Sequence, residues 1–100
     1  MTASRSVPTW MEPYRENIIR IVQKHRARNP RLFGSQARGD ATKQSDVDIL
    51  LQFEDSATLF DLIDIKHELE DLLHRKVDVV SEGGVRDAFR AVMEGESVPI

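Results

Sequence analysis

The sequence predicts an α/β domain, a small mixed β-sheet packed by helices in the order α-β-α-β-α-β-α. Two observations carry this. The apolar residues switch repeatedly between a helical period and an alternating one, so that strand candidates stand between helical segments. The connections are short turns, with no repeat, low-complexity tract or linker. A chain of 100 residues buries roughly 65% of the surface it exposes when unfolded, enough for one modest core. One domain is expected over residues 10–100, after a flexible stretch at 1–9.

Each element has its own signal. Thr9 and Glu12 have the spacing of a capping box and Pro13 suits a first helical turn. Tyr14, Ile18, Ile21, Val22 and His25 then follow one helical face until Asn29-Pro30 stops the helix. Arg31 to Phe33 is a short strand candidate running into Gly34-Ser35 and a short helical turn. Asp46 to Phe53 is a longer strand, rich in Val, Ile, Leu and Phe. Ser56 is the expected cap of a helix reaching about His74, amphipathic through Leu59, Leu62, Ile63, Leu69, Leu72 and Leu73. Lys76 to Val80 is the third strand. After Gly83-Gly84 a last helix is expected from Val85 to about Met93, closed by Gly95, with Ser97 to Ile100 as an edge strand.

Composition narrows the function classes. No apolar run approaches the ~20 residues that span a bilayer, and residues Met1 to Trp10 lack the apolar stretch of a signal peptide. A soluble, cytoplasmic protein without a membrane partner is expected. The absence of cysteine excludes disulfides and thiolate metal sites, so a bound metal must rely on carboxylate or imidazole, which favours hard cations such as Mg²⁺. The net charge of −3 is unevenly spread: residues 1–45 hold nine Lys/Arg and three Asp/Glu, residues 46–100 five and fourteen. The acidic second half argues against broad nucleic-acid binding. Arg20, Lys24 and Arg28 form a basic stripe at helical spacing, read either as a solvated face or as a contact for an acidic partner or RNA.

The chemistry concentrates in Gly34-Ser35-Gln36-Ala37-Arg38-Gly39-Asp40 and, after five further residues, Asp46-Val47-Asp48-Ile49-Leu50. Two apart on a strand, Asp46 and Asp48 share one face, while Val47, Ile49, Leu51 and Phe53 take the other. Adjacent carboxylates repel and strands disfavour Asp, so a purely structural role fits poorly. Divalent cations would offset the repulsion, and paired metals are a common device for nucleotidyl displacement. Gly34-Ser35, at a strand-to-helix turn, can aim backbone N–H groups and a hydroxyl at a phosphate, although a lone Gly-Ser pair is more often just a tight turn. Asp78, inside the apolar strand Lys76-Val77-Asp78-Val79-Val80, needs a partner: a shared metal, or an ion pair with Arg75 or Arg38. Arg38 either locks the turn against Asp40 or Asp46, the reading preferred here, or meets a phosphate. Ser45 reads as a loop cap. His25, His67 and His74 show no ligand spacing.

Gly-Ser, ten residues, Asp-x-Asp and a later Asp on an apolar strand together resemble the DNA polymerase beta-like nucleotidyltransferase superfamily. Within it, FGSQARGDATKQSDVDILL is similar to the minimal nucleotidyltransferases, which often act as antitoxin to a HEPN-domain toxin. The resemblance covers about residues 30–100. It implies that Asp46, Asp48 and Asp78 are both catalytic and metal-binding, with two Mg²⁺ ions. It implies further that Gly34, Ser35 and Arg38 hold a nucleoside triphosphate, with ATP as donor and a toxin tyrosine as acceptor.

Three functions are therefore expected in descending order. The first is an enzyme that adenylylates a partner toxin, since the chain has no room for the acceptor-binding domain of larger relatives. The second is an antitoxin that neutralises its toxin by covering it, through the apolar helix Leu59 to Leu73 and the basic stripe. The third is transfer to RNA ends, which the small stripe supports poorly.

Overall fold

A computed structural model describes residues 7–38, 46–84 and 97–100. Packing begins ahead of Trp10: Val7 is buried and joins the core. A 3₁₀ turn over Thr9–Tyr14 carries the chain through Pro13 before α1, Arg15–Lys24. The expected cap at Thr9 is not formed. Pro8 precedes the turn without a side-chain cap bond, and Met11 N–H donates to the Pro8 carbonyl at 2.9 Å.

The end of the first helix differs from expectation. α1 stops at Lys24, and Arg26, at φ 63°, turns the chain into β1, Ala27–Phe33. Asn29-Pro30 lies inside this strand rather than ending a helix. Between Arg28 and Arg31 the register shifts, with Asn29 in the left-handed region at φ 53°. Such an irregularity accommodates Pro30, which has no N–H to give a ladder, and Asn tolerates the conformation better than most residues. Arg28 consequently stands on a strand opposite Gln52. Arg20, Lys24 and Arg28 are therefore not one helical stripe.

The short helix α2 is Ser35–Arg38, and β2 is Val47–Phe53. The long helix α3, Leu59–Leu73, is capped by Thr58 rather than Ser56. Thr58 N–H donates to the Asp61 carboxylate at 2.8 Å, while the Thr58 side chain receives a backbone N–H from the first turn. The reciprocal pair satisfies two otherwise orphaned donors, which one serine two residues upstream could not do. After His74, left-handed at φ 54°, comes β3, Val77–Ser81. A 3₁₀ turn at Glu82–Gly84 follows, and β4 is Val98–Pro99. The helix expected from Val85 to Met93 lies outside the described residues. Among those described, no helix is long and apolar enough to cross a membrane.

The four strands form one mixed sheet in the order β3-β2-β1-β4, with β2 and β3 parallel and the other pairs antiparallel. Alternation then sorts the side chains. Leu32, Val47, Ile49, Leu51 and Val77 are fully buried on one face, against Ile18 and Val22 of α1 and Ile65, Leu69 and Leu73 of α3. Asp48, Leu50 and Gln52 take the opposite face, where Leu50 is also buried. Polar ties close the borders. Lys24 Nζ lies 2.6 Å from Glu68 Oε1 and His25 meets the same carboxylate, joining α1 to α3. Arg15 donates twice to the Ile100 oxygen, at 2.7 and 3.1 Å, and Ile100 N–H donates to the Pro30 carbonyl at 2.9 Å.

The outer edge of β3 is closed by side chains. In the parallel ladder, Val47 N–H donates to the Lys76 carbonyl at 2.9 Å, so the polar groups of Val77 face outward. Lys66 Nζ donates to the Val77 carbonyl at 2.7 Å, Val77 N–H donates to Glu70 Oε2 at 3.1 Å, and Lys66 and Glu70 pair at 3.0 Å. The Val77 N–H, followed by Lys66, holds the Glu70 carboxyl below its usual range, with burial opposing. A depressed folded value means that this contribution is complete at neutral pH and is lost as pH falls through the carboxylate range. Glu70→Gln should cost roughly 1 kcal/mol at pH 7, about 4–8 °C in Tm, and the difference from wild type should shrink below about pH 4, as checked by thermal melts across pH.

Candidate active site

The strand register brings the sequence-predicted carboxylates to one corner of the sheet. Asp48 is the direct partner of Asp78 across the parallel β2–β3 pair and of Phe33 across the antiparallel β1–β2 pair. Directly paired residues share a face, so Asp48 and Asp78 project together, about 4.8 Å apart at the backbone. Asp46 follows by alternation on the same face. Both paired aspartates are half-buried. Like charges set opposite one another cost up to about 1 kcal/mol relative to small neutral residues, which a strand chosen for stability would avoid.

Asp46 has a neighbour that the sequence reading missed. Lys76 Nζ lies 3.9 Å from Asp46 Oδ2, with the two side chains 65% and 43% exposed. One ammonium group thus stands beside Asp46, next to the opposed pair Asp48 and Asp78. The signal was present in Lys76-Val77-Asp78, since residues two apart on a strand share a face. Arg75, a candidate partner for Asp78, stacks over the Trp10 ring at 4.1 Å to the centroid.

Gly34 closes the corner from β1. Its φ of 73° is left-handed, a conformation that favours glycine. A Cβ placed there would meet Asp48 Oδ2 at 2.5 Å and Asp48 Cγ at 3.4 Å. Besides supplying the left-handed turn, the glycine therefore makes room for the Asp48 carboxylate. The Gln36 side chain is buried on α2, and its Nε2 has no partner among the described residues. The side chains of Ser35 and Arg38, and all of Asp40 and Ser45, lie outside the described residues.

The oxygen donors suit a hard divalent cation chemically, and the absence of a Cβ at Gly34 lets the Asp48 carboxylate take up its position. Asp48 and Asp78 are set opposite each other by register. Among the described residues, however, no three carboxylates or imidazoles are grouped as a ready-made metal cage. Asp46 is turned towards Lys76 instead.

Replacing Gly34 tests this geometry. Gly34→Ala should lower stability by about 1–2 kcal/mol through left-handed strain, with a further cost from displacing the Asp48 carboxylate. Because the second cost needs the carboxylate, the same replacement should be less damaging in an Asp48→Ala background, a coupling measurable by denaturant melts of the four proteins. Equal penalties in both backgrounds would show that the carboxylate and the glycine do not compete for space.

Comparisons with known proteins bear on the family and the fold. The family model for polymerase beta nucleotidyltransferases matches residues 16–95. A Methanocaldococcus jannaschii protein named provisionally as a protein adenylyltransferase is 34% identical over 86 residues, covering 86% of this chain and 92% of that protein. The protein adenylyltransferase MntA of Thermococcus cleftensis is 37% identical over 67 residues, 67% of this chain and 68% of that one. A solved structure described provisionally as a minimal nucleotidyltransferase superposes with a TM-score of 0.86 at 37% identity, covering 98% of this chain and 100% of the other. The fold is shared also with a toxin-antitoxin structure with AMP-PNP, at a TM-score of 0.72 and 20% identity, covering 84% of this chain and 69% of that one. By the family match, the extent of these relatives and the fold, the chain belongs to the polymerase beta nucleotidyltransferase family.

Proposed function

We propose that this chain transfers AMP from ATP to a hydroxyl group of a partner protein, a tyrosine of a HEPN-type toxin, and so acts in the cytoplasm as an antitoxin. The observation that carries this is Asp48 set opposite Asp78, with Gly34 making room for the Asp48 carboxylate. Support for the donor and the partner comes from the relatives named as protein adenylyltransferases and from the shared fold of toxin-antitoxin structures.

In this reading Asp46, Asp48 and Asp78 hold two Mg²⁺ ions, which supply charge neutralisation at the triphosphate and a lowered pKa at the acceptor hydroxyl. Gly34 and Ser35 hold the triphosphate through backbone N–H groups, and Arg38 lies at the same turn. Asp78 orients the acceptor hydroxyl and takes up its proton. The hydroxyl oxygen forms a bond to the α-phosphorus, the bond from that phosphorus to the β-phosphate oxygen breaks, and pyrophosphate leaves with the electron pair. No covalent intermediate on the chain is needed, so the protein contributes positioning and electrostatics.

A second reading, neutralisation by binding alone, draws on the apolar surface of α3, where Leu59 and Phe60 are exposed. Transfer to RNA ends loses its main support, because Arg28 stands on β1 and does not continue a stripe on α1.

Incubating the protein with its partner toxin, ATP and Mg²⁺, then weighing the toxin, separates the first two readings. The transfer reading expects a gain of one AMP per modified tyrosine; inhibition without a mass change supports binding alone. Asp48→Asn and Asp78→Asn should each lower transfer by at least ~10²-fold. Asp78→Asn removes a repelling charge while keeping its shape, so its metal-free Tm should equal or exceed that of wild type. A Tm several degrees lower would mean that Asp78 is a structural ion-pair partner.

A further inference from the structure

Helix α3 buries one stripe and exposes another. Ile65, Leu69 and Leu73 face the core, whereas Leu59 and Phe60 are 69% and 76% exposed and Ile63 is 37% exposed. At i, i+1 and i+4 these three residues form a continuous patch on the first turns of the helix. The patch runs into a groove of about 290 Å³ between α3 and the far end of the sheet, lined by Phe53, Ala57, Leu59, Leu62 and Ser81. Scattered apolar residues on a surface need no explanation, but a contiguous patch beside a groove does.

The charges around the patch choose its occupant. Glu54 and Asp55 precede the helix and Asp64 stands one turn beyond Phe60, all exposed. A second copy of this chain would lay one acidic rim over another, because a two-fold contact uses the same patch on both sides. Extension of the sheet is blocked at the start of β3, where Lys66 and Glu70 occupy the outward groups of Val77. What remains is side-chain packing on a helix face under a mainly acidic rim, with Arg26 held on the Ser56 carbonyl at 3.0 Å. We propose that this surface docks an amphipathic helix of a partner protein, with apolar residues seated on Leu59, Phe60 and Ile63 and Lys or Arg at its margins.

The placement has a consequence for transfer. Phe53 lies five residues from Asp48 along β2, about 16 Å, so a helix held in the groove leaves the carboxylate corner open to an acceptor elsewhere on the same partner. The inference rests on the reading that a partner protein brings the acceptor, yet it can be tested without nucleotide.

The probe is a short fluorescent Leu/Lys amphipathic helical peptide, titrated with the protein and followed by anisotropy, beside the same peptide with Glu in place of Lys. The Leu/Lys peptide should bind, Phe60→Ser and the pair Glu54→Lys, Asp64→Lys should each weaken it about tenfold or more, and the Leu/Glu peptide should bind more weakly. Circular dichroism and thermal melts control for folding; with a side chain this exposed, Phe60→Ser should melt close to wild type. Binding unaffected by Phe60→Ser, or absent, overturns the proposal. So does a dimer in sedimentation that Phe60→Ser dissolves, since the occupant is then a second copy. Failure in these arms leaves the mass-shift experiment on transfer untouched, and a missing mass shift leaves these arms standing.

Discussion

The parallel pairing that sets Asp48 against Asp78 constrains the rest of the molecule, because a slip of one residue would turn every side chain of β3 to the other face. Asp78 would then enter the apolar layer, and Val77, fully buried against that layer, would leave it. The hydrophobic contrast between neighbouring positions thus fixes the register, and the register places the carboxylates. A parallel neighbour also requires a crossover, which is α3. The helix that buries the core therefore also decides where β3 begins, and its Lys66 and Glu70 grip Val77, one residue before Asp78. Core, crossover and candidate site are one problem solved once.

The antiparallel pairing on the other side of β2 has a different role. Parallel strands alone would put the end of β1 far from the start of β2; running antiparallel, β1 ends with Phe33 beside Asp48, and Gly34 follows at once. A turn and a carboxylate from strands of opposite direction meet at one corner, and only a residue without Cβ fits between them. A mixed sheet is thus suited to bringing backbone N–H groups for phosphate and oxygens for a cation within reach of each other.

Much of this was legible in the sequence. The alternation of Val47, Ile49 and Leu51 with Asp46 and Asp48 stated which face packs, and the Gly-Ser to Asp-x-Asp spacing singled out the two segments that meet where Gly34 adjoins Asp48. What escaped was long-range or depended on competition between local rules. Asn29-Pro30 ordinarily stops a helix, but here a left-handed Asn and a register shift let a strand pass through it, and no local rule reveals that Gln52 waits opposite Arg28. Ser56 and Thr58 are both fair caps; Asp61, three residues after Thr58, decides between them. Lys76 beside Asp46 needed only the period of the strand, and was overlooked because the strand was read for its aspartate alone.

That lysine bears on how the fold tolerates its own site. Opposed aspartates cost up to about 1 kcal/mol, against a total stability of about 5–15 kcal/mol for a small domain. The Lys76–Asp46 pair is well exposed and loosely spaced, so it returns a fraction of 1 kcal/mol at most. Apolar packing lies beneath the opposed aspartates: Val47, Ile49 and Val77, on the reverse face of the same residues' strands, are fully buried. Fully buried core residues thus lie directly behind the opposed aspartates, and the same two strands supply both.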